Sequence, residues 1–128
     1  MKLVIGGAWQ QKTEAACRYF QIEKESLADG RICDPEEIFV CPGIHHFHLY
    51  VKRMMVQNQD LTEFVKNLEQ KNPDILLISD EIGYGLVPMD AFERAWREQT
   101  GRICCDIAGK SETVIRVVAG IPQVIKGE

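Results

Sequence analysis

Lys2-Leu3-Val4-Ile5-Gly6-Gly7-Ala8-Trp9-Gln10-Gln11-Lys12-Thr13 is the stretch on which the fold turns. Lys2 to Ile5 reads as a short apolar strand, Gly6 to Gln11 as a turn, and Lys12-Thr13 as the start of a helix. That is the outline of a phosphate-binding loop, in which unobstructed backbone N–H groups converge on a polyphosphate at a positive helix N-terminus. Lysine then contacts the outer phosphates and Ser or Thr holds Mg²⁺. Counting from Gly6, the second glycine position of the motif is Gln11, while Lys12 and Thr13 stand in place. Glycine there lets the chain curl past the phosphates with no Cβ in the way, so Gln11 is expected to weaken the cradle.

Around this stretch, 128 residues at 45% hydrophobic content suit one domain, residues 1–128, with a core of its own. A net charge of −4 and the absence of a dense basic stripe argue against a nucleic-acid partner and for a small molecule or protein. Five cysteines without C-x-x-C spacing, no secretory segment and no apolar run long enough for a membrane span give the expectation of a cytoplasmic chain with reduced thiols.

Further along, Lys12 to about Leu27 carries Ala15, Ala16, Tyr19 and Phe20 as a helical stripe, and Asp29-Gly30 and Asp34-Pro35 mark a polar connection. Ile38 to Cys41 reads as a second strand, and Phe47, Tyr50, Val51, Met54 and Met55 recur at helical spacing. Asp60 with Glu63 reads as a capping box before Leu61, Phe64, Val65 and Leu68, with Asn72-Pro73 as the stop. Ile75 to Ile78 is apolar on both faces, as a buried parallel strand should be, and runs into Ser79-Asp80-Glu81. Carboxylates at that position lie at the edge of the sheet where open α/β folds bind ligands. Asp90 with Glu93 caps a long helix with Phe92, Ala95, Trp96, Ile103 and Ile107 inward; Thr113 to Val118 and Gln123 to Lys126 are the last strands. Alternating strands and helices predict a three-layer α/β fold around a mostly parallel sheet.

Ile78-Ser79-Asp80-Glu81-Ile82-Gly83-Tyr84-Gly85-Leu86-Val87-Pro88 resembles the Ser/Thr-Asn-Glu-Val-Gly-x-Gly-x-Val-Pro segment of the adenosylcobinamide kinase / adenosylcobinamide-phosphate guanylyltransferase family of cobalamin biosynthesis. Gly6-Gly7-Ala8, Arg97 with Gly101-Arg102, and Val118-Ala119-Gly120-Ile121-Pro122 resemble three further motifs of that family. The resemblance implies a P-loop NTPase fold of the RecA-like group, ATP or GTP with Mg²⁺ as cofactors, a corrinoid as the second small molecule, and a homo-oligomer, trimeric in known members. It implies that Gly6, Gly7, Ala8, Lys12, Thr13 and Asp80 bind the nucleotide, that Thr13 holds the metal, and that Lys12 and Glu81 are catalytic. Family enzymes move a γ-phosphate to the hydroxyl of adenosylcobinamide and then transfer GMP through a guanylyl-histidine. Here the connection that carries that histidine is short, Val40-Cys41 stands where the family has a carboxylate, and Asp80 replaces an Asn.

His45, His46 and His48 admit three readings: a guanylyl acceptor, a metal site with Cys41 in Cys-x-x-x-His-x-x-His, or residues that flank a helix. His45 and His48 are expected to share a helical face. Glu81 either serves Mg²⁺ and the nucleophile or braces the glycine turn after it. At the level of function, a shortened phosphotransferase that has lost guanylyl transfer stands beside a non-catalytic descendant that acts as a partner in cobalamin metabolism.

Overall fold

The computed structural model describes residues 1–82 and 90–127. One six-stranded sheet organises them. Its strands are β1 (Lys2–Gly6), β2 (Ala28–Asp29), β3 (Gly43–His45), β4 (Leu76–Asp80), β5 (Thr113–Val118) and β6 (Ile121–Lys126), in the order β2-β3-β4-β1-β5-β6. All neighbours run parallel except β5 and β6, which form an antiparallel hairpin at one edge. The helices are α1 (Lys12–Phe20), α2 (Phe47–Val56), α3 (Phe64–Lys71) and α4 (Ala91–Lys110).

Strand alternation divides the core into two layers. Leu3, Leu77 and Val114, in register across β1, β4 and β5, face the cluster formed with Phe47, Tyr50, Val51, Leu68, Ile103 and Ile107 of α2, α3 and α4. Val4, Ile78 and Ile115, one residue on, face Ala15 and Ala16 of α1. A one-residue shift of any strand would exchange these layers, so two covered faces fix the register. The three-layer, mostly parallel α/β architecture expected from the sequence is the one observed.

Four local expectations are corrected. The first helix stops at Phe20 rather than Leu27, because Gln21 takes a left-handed conformation (φ 56°) and Ile22 N–H bonds back to Cys17 O at 3.0 Å. Ile38 to Cys41 is not a strand: Asp34 accepts a hydrogen bond from Glu36 N–H, Pro35 follows it, and a 3₁₀ turn over Pro35–Phe39 buries Ile38 and leaves Val40 exposed. The strand forms instead over Gly43–His45, beside a two-residue strand in what reads as a polar connection. Asp60 bonds to the N–H and hydroxyl of Thr62 (2.9 and 2.6 Å), and α3 begins at Phe64 with Glu63 in the cap position, so no capping box forms. Ala95 is exposed on α4, where Thr100 takes an inward place; Asp90 caps that helix as expected, accepting from Phe92 and Glu93 N–H.

Candidate functional site

The loop leaves the sheet at Gly6. A Cβ there would lie 2.6 Å from Val117 O and 3.1 Å from Lys12 Cγ and Cδ, so glycine lets the Lys12 stem lie back across the strand end. The loop itself contains two left-handed residues that are not glycine, Trp9 (φ 65°) and Gln11 (φ 59°, ψ 42°). The second glycine position of the motif is therefore a position where the backbone demands left-handed geometry, and Gln11 adopts it at a cost of roughly 1–2 kcal/mol. Gln10 offsets some of that strain by tying the loop to the β5–β6 turn: its side-chain oxygen accepts from Ala119 N–H and its carbonyl from Gly120 N–H at 3.0 Å.

Lys12, at the first position of α1, points its ammonium back over the strand ends. It donates to Gly7 O at 3.0 Å and pairs with Asp80 Oδ1 at 2.6 Å, with only 10% of its side chain exposed. Asp80 closes β4 opposite Gly6. His48, in the first turn of α2, holds Asp80 in turn: Asp80 N–H donates to His48 Nδ1 at 3.1 Å, and His48 Nε2 lies 3.3 Å from Asp80 Oδ2. Because Nδ1 accepts, the neutral ring carries its proton on Nε2, facing the carboxylate. Burial pushes the His48 pKa down to about 4 against the opposing pull of Asp80. Trp96 Nε1–H fixes the His48 backbone from α4, donating to its carbonyl at 2.8 Å.

Glu81 follows Asp80 but faces β5, where its Oε1 accepts from Arg116 Nε at 2.8 Å; its N–H donates to Gly6 O at 2.7 Å. The contact is a bracing one. Gly83, Tyr84 and Gly85, which complete the acidic motif, lie outside the described residues, as do Leu86, Val87 and Pro88 of the same segment.

A cleft of about 440 Å³ opens beside Lys12. Trp9, Gln11, Lys12, Thr13 and Glu14 form one wall and Lys24, Arg31, His45 and His46 the other. Gly6 and Gly7 shape the floor of the loop and Ala8 is exposed on it. Trp9 is 97% exposed at the rim, so a flat ring system can lie against it. Lys12, Lys24, Arg31 and two imidazoles share this concave surface with Glu14; the three cations are held by Asp80, Glu14 (3.5 Å) and Asp29 (2.8 Å), so an anionic ligand here would compete with those carboxylates for them. A second cavity of about 330 Å³, on the α4 side of Asp80 and Glu81, is lined by Ile5, Ile82, Thr100, Gly101 and Cys104 and brings no cation, which makes it the poorer phosphate site.

The histidines do not assemble as their spacing suggests. His45 closes β3, His46 is the left-handed residue before α2 (φ 55°), and His48 is buried on α2, so His45 and His48 share no helical face. His48 is committed to Asp80, and Cys41 is buried elsewhere, so among the described residues Cys41, His45 and His48 do not converge as a metal set. The group that does converge is Asp29, His45 and His46. Lys24, Arg31, Asp29 and Arg116 escaped the sequence reading as site residues, and His48 was weighed there as acceptor or metal ligand rather than as a partner of Asp80. Asp29-Gly30-Arg31 carries the signature of a turn, and nothing local says that it lies beside His45.

A mostly parallel sheet whose central strand passes through a glycine-initiated loop into a helix that opens on lysine, with an acidic strand end alongside, defines a P-loop-type α/β protein. The family described as CobU, cobinamide kinase / cobinamide phosphate guanyltransferase, matches residues 41–125, and the chain belongs to that family. The bifunctional adenosylcobalamin biosynthesis protein CobP of Pseudomonas aeruginosa is 39% identical over 54 residues, which make up 42% of this chain and 31% of that protein. The matched stretch thus spans less than a third of that curated relative. The family match begins after the loop, so Gly6 to Thr13 stand on their own geometry. Among the described residues no helix is long and apolar enough to cross a membrane, and all five cysteines are free.

Proposed function

We propose that this chain binds the phosphates of ATP or GTP in the cleft beside Lys12 and transfers a phosphoryl group to the hydroxyl of a cobinamide-type corrinoid. The observation that carries the reading is the position of Lys12: at the N-terminus of α1, on the carboxyl edge of the sheet, beside a cleft that also presents Lys24 and Arg31. Phosphoryl transfer asks a protein for positioning and charge, and this wall supplies both. Thr13 in the same wall offers a hydroxyl oxygen, which suits the oxygen preference of Mg²⁺, and that ion would neutralise charge between the outer phosphates. Asp80 acts on Lys12 as a counter-ion that the arriving phosphate displaces, and Glu81 keeps the strand end in place through Arg116.

One observation favours the non-catalytic reading: Lys12 is already neutralised by Asp80, where the resemblance puts an uncharged Asn. The experiment is transfer of label from γ-³²P-ATP or γ-³²P-GTP to adenosylcobinamide in the presence of Mg²⁺, run beside Lys12→Ala. Labelled corrinoid formed by wild type and not by the variant is the expected result; nucleotide binding without transfer would leave the non-catalytic partner standing. Guanylyl transfer is expected to be absent, so intact mass after incubation with GTP should show no added GMP on His45, His46 or His48.

A further inference from the structure

We propose that Asp29, His45 and His46 form a binding site for a divalent transition ion of the zinc class, at the carboxyl edge of β2 and β3 on the wall of the cleft opposite Lys12. The inference is independent of the nucleotide reading. One donor atom from each of the three residues falls within 4.8 Å of the others. His45 Nδ1 and His46 Nδ1 lie 2.5 Å apart, and His46 Nδ1 lies 4.0 Å from Asp29 Oδ1. A tetrahedral ion with metal–nitrogen bonds of about 2.0–2.1 Å needs donors roughly 3.3 Å apart. These two separations lie on either side of that value and the third lies within 4.8 Å, so side-chain rotation with no change of backbone brings all three donors toward the sphere of one ion.

The backbone is built to keep the donors together. Asp29 and His45 are register partners across β2 and β3, and Gly30 N–H donates to His45 O at 2.8 Å. A Cβ on Gly30 would lie 2.3 Å from His46 O, so glycine admits the close approach. Arg53 clamps the same turn through Gly30 O (2.9 Å) and Cys33 O (2.7 Å). His46 is held in the left-handed region, which turns its ring onto that of His45 with centroids 4.8 Å apart. Two facing Nδ1 atoms at 2.5 Å cannot both carry a proton: without metal one ring donates Nδ1–H to the other, and with both rings in the Nε2–H tautomer a shared cation takes both lone pairs. Two imidazoles and one carboxylate leave a coordination position open toward the cleft, the arrangement of a zinc that takes a water or substrate oxygen as its fourth ligand. Arg31 is the competitor, since its Nε and Nη2 reach both Asp29 oxygens.

The test is a Co²⁺ titration of metal-stripped protein, followed by visible absorption and repeated with Zn²⁺ against a chromophoric chelator. Cys105→Ser serves as background, because that exposed thiol would otherwise take up metal. One equivalent should bind, the His45→Ala, His46→Ala double variant should lose stoichiometric binding, and Arg31→Gln should bind several-fold more tightly by freeing Asp29. Far-UV circular dichroism checks that the double variant is folded; if it is not, Arg31→Gln decides, and unchanged affinity there overturns the site. Equal binding by wild type and a folded double variant, or no binding by wild type at equimolar metal, overturns it as well.

Discussion

Asp80 serves two neighbours with one carboxylate, Lys12 on Oδ1 and His48 on Oδ2, and His48 is the part of this arrangement that pH addresses. Its ring is buried and neutral, with a pKa near 4 in the folded protein against about 6.5 when free. Between those values the unfolded chain binds the extra proton, so stability falls as pH drops through the window and levels off below about 4. The full loss is about 3 kcal/mol. Urea unfolding of wild type and His48→Gln at pH 7 and pH 4.5 measures it: the wild type should lose stability more steeply, and parallel losses would contradict the assignment. None of this was legible in the sequence. Asp80 stood out as a carboxylate past an apolar strand, but its partners come from residues 12 and 48, and only the packing of α2 against β4 brings the imidazole there.

At the scale of elements, the loop before α1 carries the strain. Gln11 sits at φ 59° with no side-chain capping hydrogen bond, so Gln11→Gly exchanges a left-handed side chain for the residue suited to it. The relief is partly offset by the greater freedom of glycine in the unfolded chain, leaving a gain of about 1 kcal/mol or less. A rise in Tm of about 2–5 °C by calorimetry is the expected reading, and a fall would mean that Gln11 makes contacts worth more than its strain. The same position was legible beforehand as the missing glycine of the motif, because the requirement is local. Strand β4 and helices α2 and α4 were legible too, each through an apolar pattern, with a cap at Asp90 for the last. Strand β3 was misplaced because Ile38 to Cys41 is the more apolar run, although the Asp34-Pro35 start signal just before it sets a 3₁₀ turn. Strand β2 was out of reach: two residues become a strand only by pairing with Ile44 and His45.

The whole molecule makes the cleft, since Lys24, Arg31, His45 and His46 reach Lys12 only when β2 and β3 take their places in the sheet. The sequence therefore disclosed one wall and concealed the other. At the opposite edge, β6 exposes Ile121, Val124 and Ile125 beside Val118 of β5, an apolar sheet edge of the kind that pairs with another chain. Light scattering should show a homo-oligomer that Ile125→Lys disperses; a monomeric wild type would contradict this. We propose Lys12 as the phosphate-binding group of this cleft, with its charge held in check by Asp80. Isothermal titration with Mg²⁺ and either ATP or GTP tests it most directly on wild type, Lys12→Ala and Asp80→Asn. Asp80→Asn should bind tighter than wild type by about 10-fold, equivalent to about 1.4 kcal/mol, and Lys12→Ala should not bind measurably. Equal affinity in wild type and Lys12→Ala would contradict the account.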